Sequence, residues 1–92
     1  PVDFAMSNDG NLAYITLGRS KHVAVVKTDT YEVIDYILAG SRVWGAAISS
    51  DDKTLIVTNG NSDDISIIDT KKRASIKSIA VGRTPHTVRI IE

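Results

Sequence analysis

The side chains best suited to chemistry are two pairs, Arg42 with Trp44 and Arg83 with His86. A histidine can serve as a base or a ligand because its pKa lies near neutral pH, and an indole offers a plane for stacking. Such residues more often have a structural use: Trp44 as a wedge between packed sheets, His86 as a similar contact or a solvated loop residue. We predict these four residues as a candidate ligand or partner surface and predict no catalytic residue.

Metal and covalent chemistry have little support in the sequence. There is no cysteine, which excludes a zinc–thiolate site, a disulfide framework and a thiol nucleophile. His22 and His86 are not at metal-ligand spacing, and no Gly-x-Ser-x-Gly elbow is present. The acidic pairs at 51–52 and 63–64 lack the alternating ligand spacing of a calcium loop, so turn capping explains them better. We predict no metal and no cofactor.

Charge and apolar content exclude further classes. Eleven basic and eleven acidic residues leave a net charge of zero, which argues against nucleic acid as a partner. No apolar run is long enough for a membrane span, and no signal peptide is visible. Gly18, Gly40, Gly60 and Gly82 stand apart, so they form no phosphate loop, and we expect them to adopt backbone conformations that a Cβ would hinder.

The sequence contains an internal repeat, and the structural elements of this repeat would position any such site. Shifting the chain by 42 residues aligns it with itself without a gap, with 11 identities in 50 pairs, and turn residues fall on turn residues. The period fits propeller blades or paired helices. Ile, Val and Thr dominate while Leu is scarce, which favours strands. In this alignment Trp44 and His86 are equivalent.

Each repeat is predicted to contain four strands separated by short polar turns. A ninth segment would begin a third unit. The predicted strands are Val2–Met6, Leu12–Leu17, His22–Lys27, Val33–Leu38, Trp44–Ile48, Thr54–Asn59, Ile65–Asp69, Ser75–Ala80 and His86–Ile91.

The repeat resembles the YVTN family of β-propellers. The four-residue motif that gives this family its name, the tetrad, is present as Ile56-Val57-Thr58-Asn59. A more degenerate copy lies at residues 14–17. The segment at 30–38, with Arg42-Val43-Trp44 after it, is similar to propeller proteins associated with pyrroloquinoline-quinone-dependent alcohol oxidation in the bacterial periplasm.

The resemblance implies an all-β fold: residues 1–92 as one partial propeller domain. The first four-stranded antiparallel blade would span about 2–42 and the second about 43–84, with an extra strand at 86–91. Two blades do not close a ring, because propellers have about four to eight. We therefore expect the C-terminal part of a larger propeller, whose open faces make self-association of this chain an expectation.

The function implied is a non-enzymatic scaffold, periplasmic or extracellular. It would hold a protein partner or small ligand on the rim that carries Arg42, Trp44, Arg83 and His86. The alternatives are a haem- or cofactor-carrying propeller, as in periplasmic nitrite reductases, where His86 would be the residue to test, and a surface-layer or adhesion module. The rim assignment rests on analogy between folds.

Overall fold

The computed structural model describes residues 3–18, 20–40, 42–60 and 64–80, and every helix or strand among them is a β-strand. Ile, Val and Thr suit these strands because branched side chains pack well on a pleated surface. The strands are β1 (Phe4–Met6), β2 (Leu12–Thr16), β3 (His22–Lys27), β4 (Val33–Leu38), β5 (Val43–Ile48), β6 (Thr54–Asn59), β7 (Asp64–Asp69) and β8 (Ala74–Ala80).

The strands form two four-stranded antiparallel sheets, ordered β1-β2-β3-β4 and β5-β6-β7-β8. This confirms the all-β prediction of two sheets. The strands β2 to β8 lie within one residue, at each end, of the segments predicted from the sequence. The predicted ninth strand, 86–91, lies outside the described residues, and the predicted limits of the two units remain predictions.

The two sheets repeat each other at the level of single hydrogen bonds. In the β1–β2 turn the Ser7 hydroxyl donates to the Asp9 carboxylate at 2.7 Å. In the β5–β6 turn, 42 residues on, Ser49 donates to Asp51 at 2.6 Å. Each carboxylate also accepts a backbone N–H at 2.9 Å, from Asn11 and from Lys53 respectively. The 42-residue repeat of the sequence is therefore also a repeat of the three-dimensional structure.

Irregular backbone recurs at equivalent positions too. Gly10 and Asp52 both have positive φ, at 77° and 63°, and so do Tyr31 and Arg73, at 59° and 53°. The β3–β4 ladder shifts register after Val25 and the β7–β8 ladder after Ile67, again 42 residues apart. Turns and bulges are thus properties of the module and not of one copy.

The core lies between the sheets. Because side chains alternate along a strand, each sheet has two faces. We call the face of the first sheet that packs on the second sheet the front face, and its opposite the back face. The faces of the second sheet take the same names from the residues that are equivalent by the 42-residue repeat. Front-face side chains of the first sheet pack on back-face side chains of the second in one buried cluster. The front residues are Tyr14, Val23, Val25 and Ile37, and the back residues are Val43, Leu55, Val57 and Ile68.

Polar contacts also join the sheets. The Asn8 side-chain amide donates to the Asp52 carboxylate at 2.6 Å and to the Ser50 carbonyl at 2.8 Å. Arg73 and Asp35 form an ion pair at 3.5 Å between β4 and the β7–β8 turn. These contacts fix the two sheets side by side. The described residues contain no helix of the length and hydropathy needed to cross a membrane.

Candidate functional site

Three connections meet at one end of the two sheets, and we call this end the rim. The β2–β3, β4–β5 and β6–β7 connections lie there because successive strands are antiparallel. The β4–β5 connection leads into β5 and carries the predicted residues Arg42 and Trp44. Arg19 and Asp63, expected on the same end, lie outside the described residues, as do Arg83 and His86.

Arg42 and Trp44 are brought together. The Arg42 guanidinium carbon lies 5.5 Å from the centroid of the Trp44 ring, within the range of a cation–π interaction. Arg42 is exposed and Trp44 is half-buried. Arg42 has φ = 56°, a left-handed conformation that costs energy in a residue with a Cβ. The prediction of Trp44 as an inter-sheet wedge did not include this cation–π contact with Arg42.

Backbone hydrogen bonds hold this pair in place. The buried Thr16 hydroxyl accepts the Asp3 N–H at 2.9 Å and donates to the Trp44 carbonyl at 2.6 Å. The Gly60 N–H donates to the Arg42 carbonyl at 3.1 Å. The Arg42–Trp44 backbone is therefore tied both to the first sheet and to the end of β6.

Hydrogen bonds from the Asn59 side chain, at the end of β6, connect β7 with the segment that follows β4. This fully buried side chain donates from Nδ2 to Asp64 Oδ1 at 2.9 Å and to Ser66 Oγ at 2.8 Å. Its Oδ1 accepts the Gly40 N–H at 3.1 Å. A Cβ at Gly40 would meet Asn59 Cγ at 2.4 Å, so only glycine fits there. Sequence reasoning named Asn59 only as the last residue of the tetrad and gave it no structural role, although its polarity where the first repeat has Leu17 was the available signal.

The glycine expectation holds only in part. Neither Gly40 nor Gly60 has the positive φ seen at Gly10; Gly40 requires glycine because a Cβ would overlap Asn59, whereas a Cβ at Gly60 would make ordinary contacts of 3.7 Å and longer. Gly60 thus recurs at the end of its strand without a steric need for glycine.

A second aromatic contact lies at the start of β3. The Ser20 hydroxyl and His22 Nδ1 are 2.8 Å apart, and the His22 and Tyr36 rings meet edge to face with centroids 6.4 Å apart. This contact lies on the back face of the first sheet, since Ala24 and Tyr36 are paired across β3 and β4. His22 is thus held by two neighbours.

The described groups whose pKa values are clearly shifted lie away from the rim. The pKa of Asp9 is lowered by the N–H of Asn11 and the Ser7 hydroxyl, and that of Asp51 by the Ser49 hydroxyl and the N–H of Lys53. Burial raises the pKa of Tyr14. Within the described ranges, no group of three or more His, Cys, Asp or Glu side chains is placed to hold a metal ion.

Neither the protein-family models nor the curated proteins contain a match to this chain. Solved structures do match. A chain of Kuenenia stuttgartiensis hydrazine synthase is 29% identical with a TM-score of 0.94, over 98% of this chain and 26% of that one. Apo AztD from Citrobacter koseri is 15% identical with a TM-score of 0.79, over 96% of this chain and 26% of that one. The WD40 repeats of RRP9 are 14% identical with a TM-score of 0.78, over 90% and 26%.

The two sheets are β-propeller blades. The chain spans about a quarter of the length of these solved structures. Blade 1 is β1–β4 and blade 2 is β5–β8, with the rim at the end that carries the β4–β5 connection between blades. The Arg42–Trp44 pair therefore lies where the chain passes from one blade to the next.

Proposed function

We propose that this chain is a binding scaffold whose rim holds an acidic group of a protein partner or small ligand with Arg42 and Trp44. The observation that supports the proposal is the guanidinium 5.5 Å from the indole centroid, in an exposed residue with a left-handed backbone. A guanidinium held against an indole by a cation–π interaction can still donate its N–H groups to a carboxylate.

Trp44 is the only tryptophan, so its fluorescence reports on this pair directly. We expect hexaglutamate to change Trp44 emission in a saturable way, and Arg42→Gln to weaken the response about tenfold, since a charge-assisted hydrogen bond is lost. Arg73→Gln is the matched control because Arg73 also has positive φ and lies at the opposite end of the blades. A wild-type chain without a saturable response contradicts the proposal, and so does equal weakening by Arg73→Gln.

We also propose that the scaffold is a YVTN-type protein that works in the periplasm in association with pyrroloquinoline-quinone-dependent alcohol oxidation. The support is the resemblance of the tetrad at 56–59 and of the segments at 30–38 and 42–44 to those proteins. Cell fractionation of the source bacterium with an antibody against this chain tests the compartment. Recovery with the periplasmic fraction supports the proposal, and recovery with the cytoplasmic fraction overturns it.

A second candidate is the haem- or cofactor-carrying propeller that the resemblance to periplasmic nitrite reductases implies, and the 29% identity to a chain of an enzyme, hydrazine synthase, supports a propeller that is part of an enzyme. His86 is the residue to test in that case. Visible absorption of the protein purified from its source distinguishes the candidates. A Soret band that His86→Ala abolishes supports the haem carrier, and a colourless protein rules it out.

A further inference from the structure

Arg42 has a backbone conformation that an arginine does not keep without help from its surroundings. Its φ of 56° lies in the left-handed region, which costs energy in a residue with a Cβ. Strained backbone of this kind persists only where the surrounding structure determines it. Neighbouring groups must therefore keep the segment before β5 from relaxing to an ordinary negative φ.

The end of β6 supplies two of these contacts through the backbone of the segment. The Gly60 N–H donates to the Arg42 carbonyl at 3.1 Å. The Arg42 side chain also passes close to Gly60, since its Cδ lies 3.9 Å from the position of a Cβ built there. The Thr58 hydroxyl accepts the Gly45 N–H at 2.7 Å. The backbone is thus held on both sides of Trp44.

Asn59 adds the contact that depends on a particular side chain. Its Oδ1 accepts the N–H of Gly40, two residues before Arg42, at 3.1 Å. The side chain is fully buried, and its Nδ2 donates to Asp64 Oδ1 at 2.9 Å and to Ser66 Oγ at 2.8 Å. Strand β7 therefore fixes the amide, and the amide fixes the start of the segment that carries the arginine.

The chemistry of its partners leaves the Asn59 amide one orientation. The Gly40 N–H can only donate and the Asp64 carboxylate accepts, so exchange of Oδ1 and Nδ2 would leave both without a suitable partner. A buried polar group without a partner costs free energy. A Cβ at Gly40 would overlap the Asn59 side chain, so backbone and amide are in close contact. Asn59 can therefore transmit the position of β7 to the rim segment.

The two repeats differ at this contact. Thr16, the equivalent of Thr58, makes the same bond, because its hydroxyl accepts the Asp3 N–H at 2.9 Å. Leu17 stands at the position of Asn59, and its side chain can neither donate nor accept. The threonine contact thus belongs to the module, whereas the asparagine contact is particular to the β4–β5 connection, where the candidate site lies.

We propose that Asn59 is a positioning residue of the rim, which holds the segment before β5 in the form in which Arg42 contacts Trp44 and receives a carboxylate. This inference rests on the proposed function of the rim. Without the Asn59 contact, Arg42 returns to an ordinary φ in most molecules. The apparent dissociation constant rises in inverse proportion to the fraction that can bind, so we expect binding to weaken about tenfold.

Two variants that keep the net charge test this role. Asn59→Leu introduces the residue type of the first repeat and removes all three hydrogen bonds. Asn59→Asp, Asp64→Asn reverses the bond to β7: the new carboxylate accepts from the new amide, from the Ser66 hydroxyl and, as before, from the Gly40 N–H. Asn8→Ala is the control, because the Asn8 side chain makes its hydrogen bonds at the opposite end of the blades.

The first measurement needs no ligand. A residue with positive φ gives a strong nuclear Overhauser cross-peak between its own N–H and Hα, because the two protons are closer than at negative φ. We expect Asn59→Leu to weaken this cross-peak at Arg42, while the double variant and Asn8→Ala keep it. Arg73, with φ of 53°, is the internal reference for an intact fold. A cross-peak at Arg42 that survives Asn59→Leu, or that the double variant or Asn8→Ala loses, overturns the proposal.

The second measurement is the titration of Trp44 emission with hexaglutamate. We expect about tenfold weaker binding by Asn59→Leu and wild-type binding by the double variant. Loss of the Arg42 cross-peak in Asn59→Leu with unchanged binding would overturn the positioning role. A wild-type chain without a saturable response would instead overturn the proposed function of the rim, and the cross-peak would still show whether Asn59 positions Arg42. The two failures are therefore distinguishable.

Discussion

The two blades have the same strands, turns and bulges, yet their equivalent residues differ in burial. Ile37 on the front face of blade 1 is fully buried, whereas Ile79, its equivalent on blade 2, is 36% exposed. The module determines the position of these side chains, and the neighbouring blade determines whether they are buried. Stability in this fold therefore depends on interfaces between repeats as much as on the repeats themselves.

Truncating these equivalent isoleucines should give the largest difference between the blades. We expect Ile37→Ala to lower the free energy of unfolding by about 2–5 kcal/mol, because it leaves a cavity in the core. Ile79→Ala at low protein concentration should cost about 1 kcal/mol or less. Urea unfolding followed by circular dichroism measures both. Equal losses would show that the blade 2 front face is as well packed as that of blade 1.

Gly40 is expected to have the next largest effect. The added methyl group of Gly40→Ala would overlap Asn59, whose three side-chain hydrogen-bond partners prevent it from moving aside. We expect a loss of about 1–3 kcal/mol in unfolding free energy. Gly60→Ala is the matched control, since a Cβ there has ordinary room. A Gly40→Ala protein as stable as Gly60→Ala would contradict this role of Asn59.

Gly10 and Asp52 occupy equivalent turn positions. Variants at these two positions distinguish the free-energy cost of the left-handed backbone from the contribution of the Asp52 side-chain contact. Nothing lies within 4 Å of a Cβ at Gly10, so Gly10→Ala should cost only the left-handed backbone, about 1–2 kcal/mol. Asp52→Gly removes that strain together with the contact to Asn8, whereas Asp52→Ala removes the contact alone. Thermal unfolding should therefore rank Asp52→Gly above Asp52→Ala in stability. The reverse order would show that the backbone at position 52 is not strained.

Acid should have a smaller effect that differs between the blades. The pKa values of Asp9, Asp51 and Asp69 lie below the ordinary 3.8, because hydrogen bonds stabilise the charged forms; for Asp69 the N–H of Lys72 is the main cause. A carboxyl whose pKa is lowered by folding adds stability above its unfolded pKa, and this stability is lost as the pH falls through the folded value.

Asp9 and Asp51 are equivalent, but Asp69 has Lys27 as its counterpart in blade 1. Blade 2 should therefore lose more protection below pH 3.8, as measured by amide hydrogen exchange. Asp69→Asn should remove the excess loss in blade 2 and leave blade 1 unchanged. Equal loss in both blades of the wild-type chain would contradict the role of Asp69.

The sequence was sufficient to predict the strands because the repeat supplies two copies of each pattern. Turn residues at 7–11 matched those at 49–53, and the same hydrogen bonds form in both. The rim was harder to predict. Arg42 and Trp44 were selected by residue type and position, but no local pattern indicates their cation–π contact or the left-handed φ at Arg42. Asn59 was named only as the last residue of the tetrad, because its partners, Gly40 after β4 and Asp64 and Ser66 of β7, lie in two segments that only the fold brings to it.

The front-to-back packing of the two blades determines where the rim lies, and nuclear Overhauser spectroscopy on labelled protein measures this packing most directly. The Asn8 side-chain amide donates to carbonyls of Ser49 and Ser50, 41 and 42 residues away. We predict cross-peaks from the Asn8 amide protons to protons of residues 49–52. Cross-peaks from that amide to residues 7–11 alone would contradict the packing of the two blades.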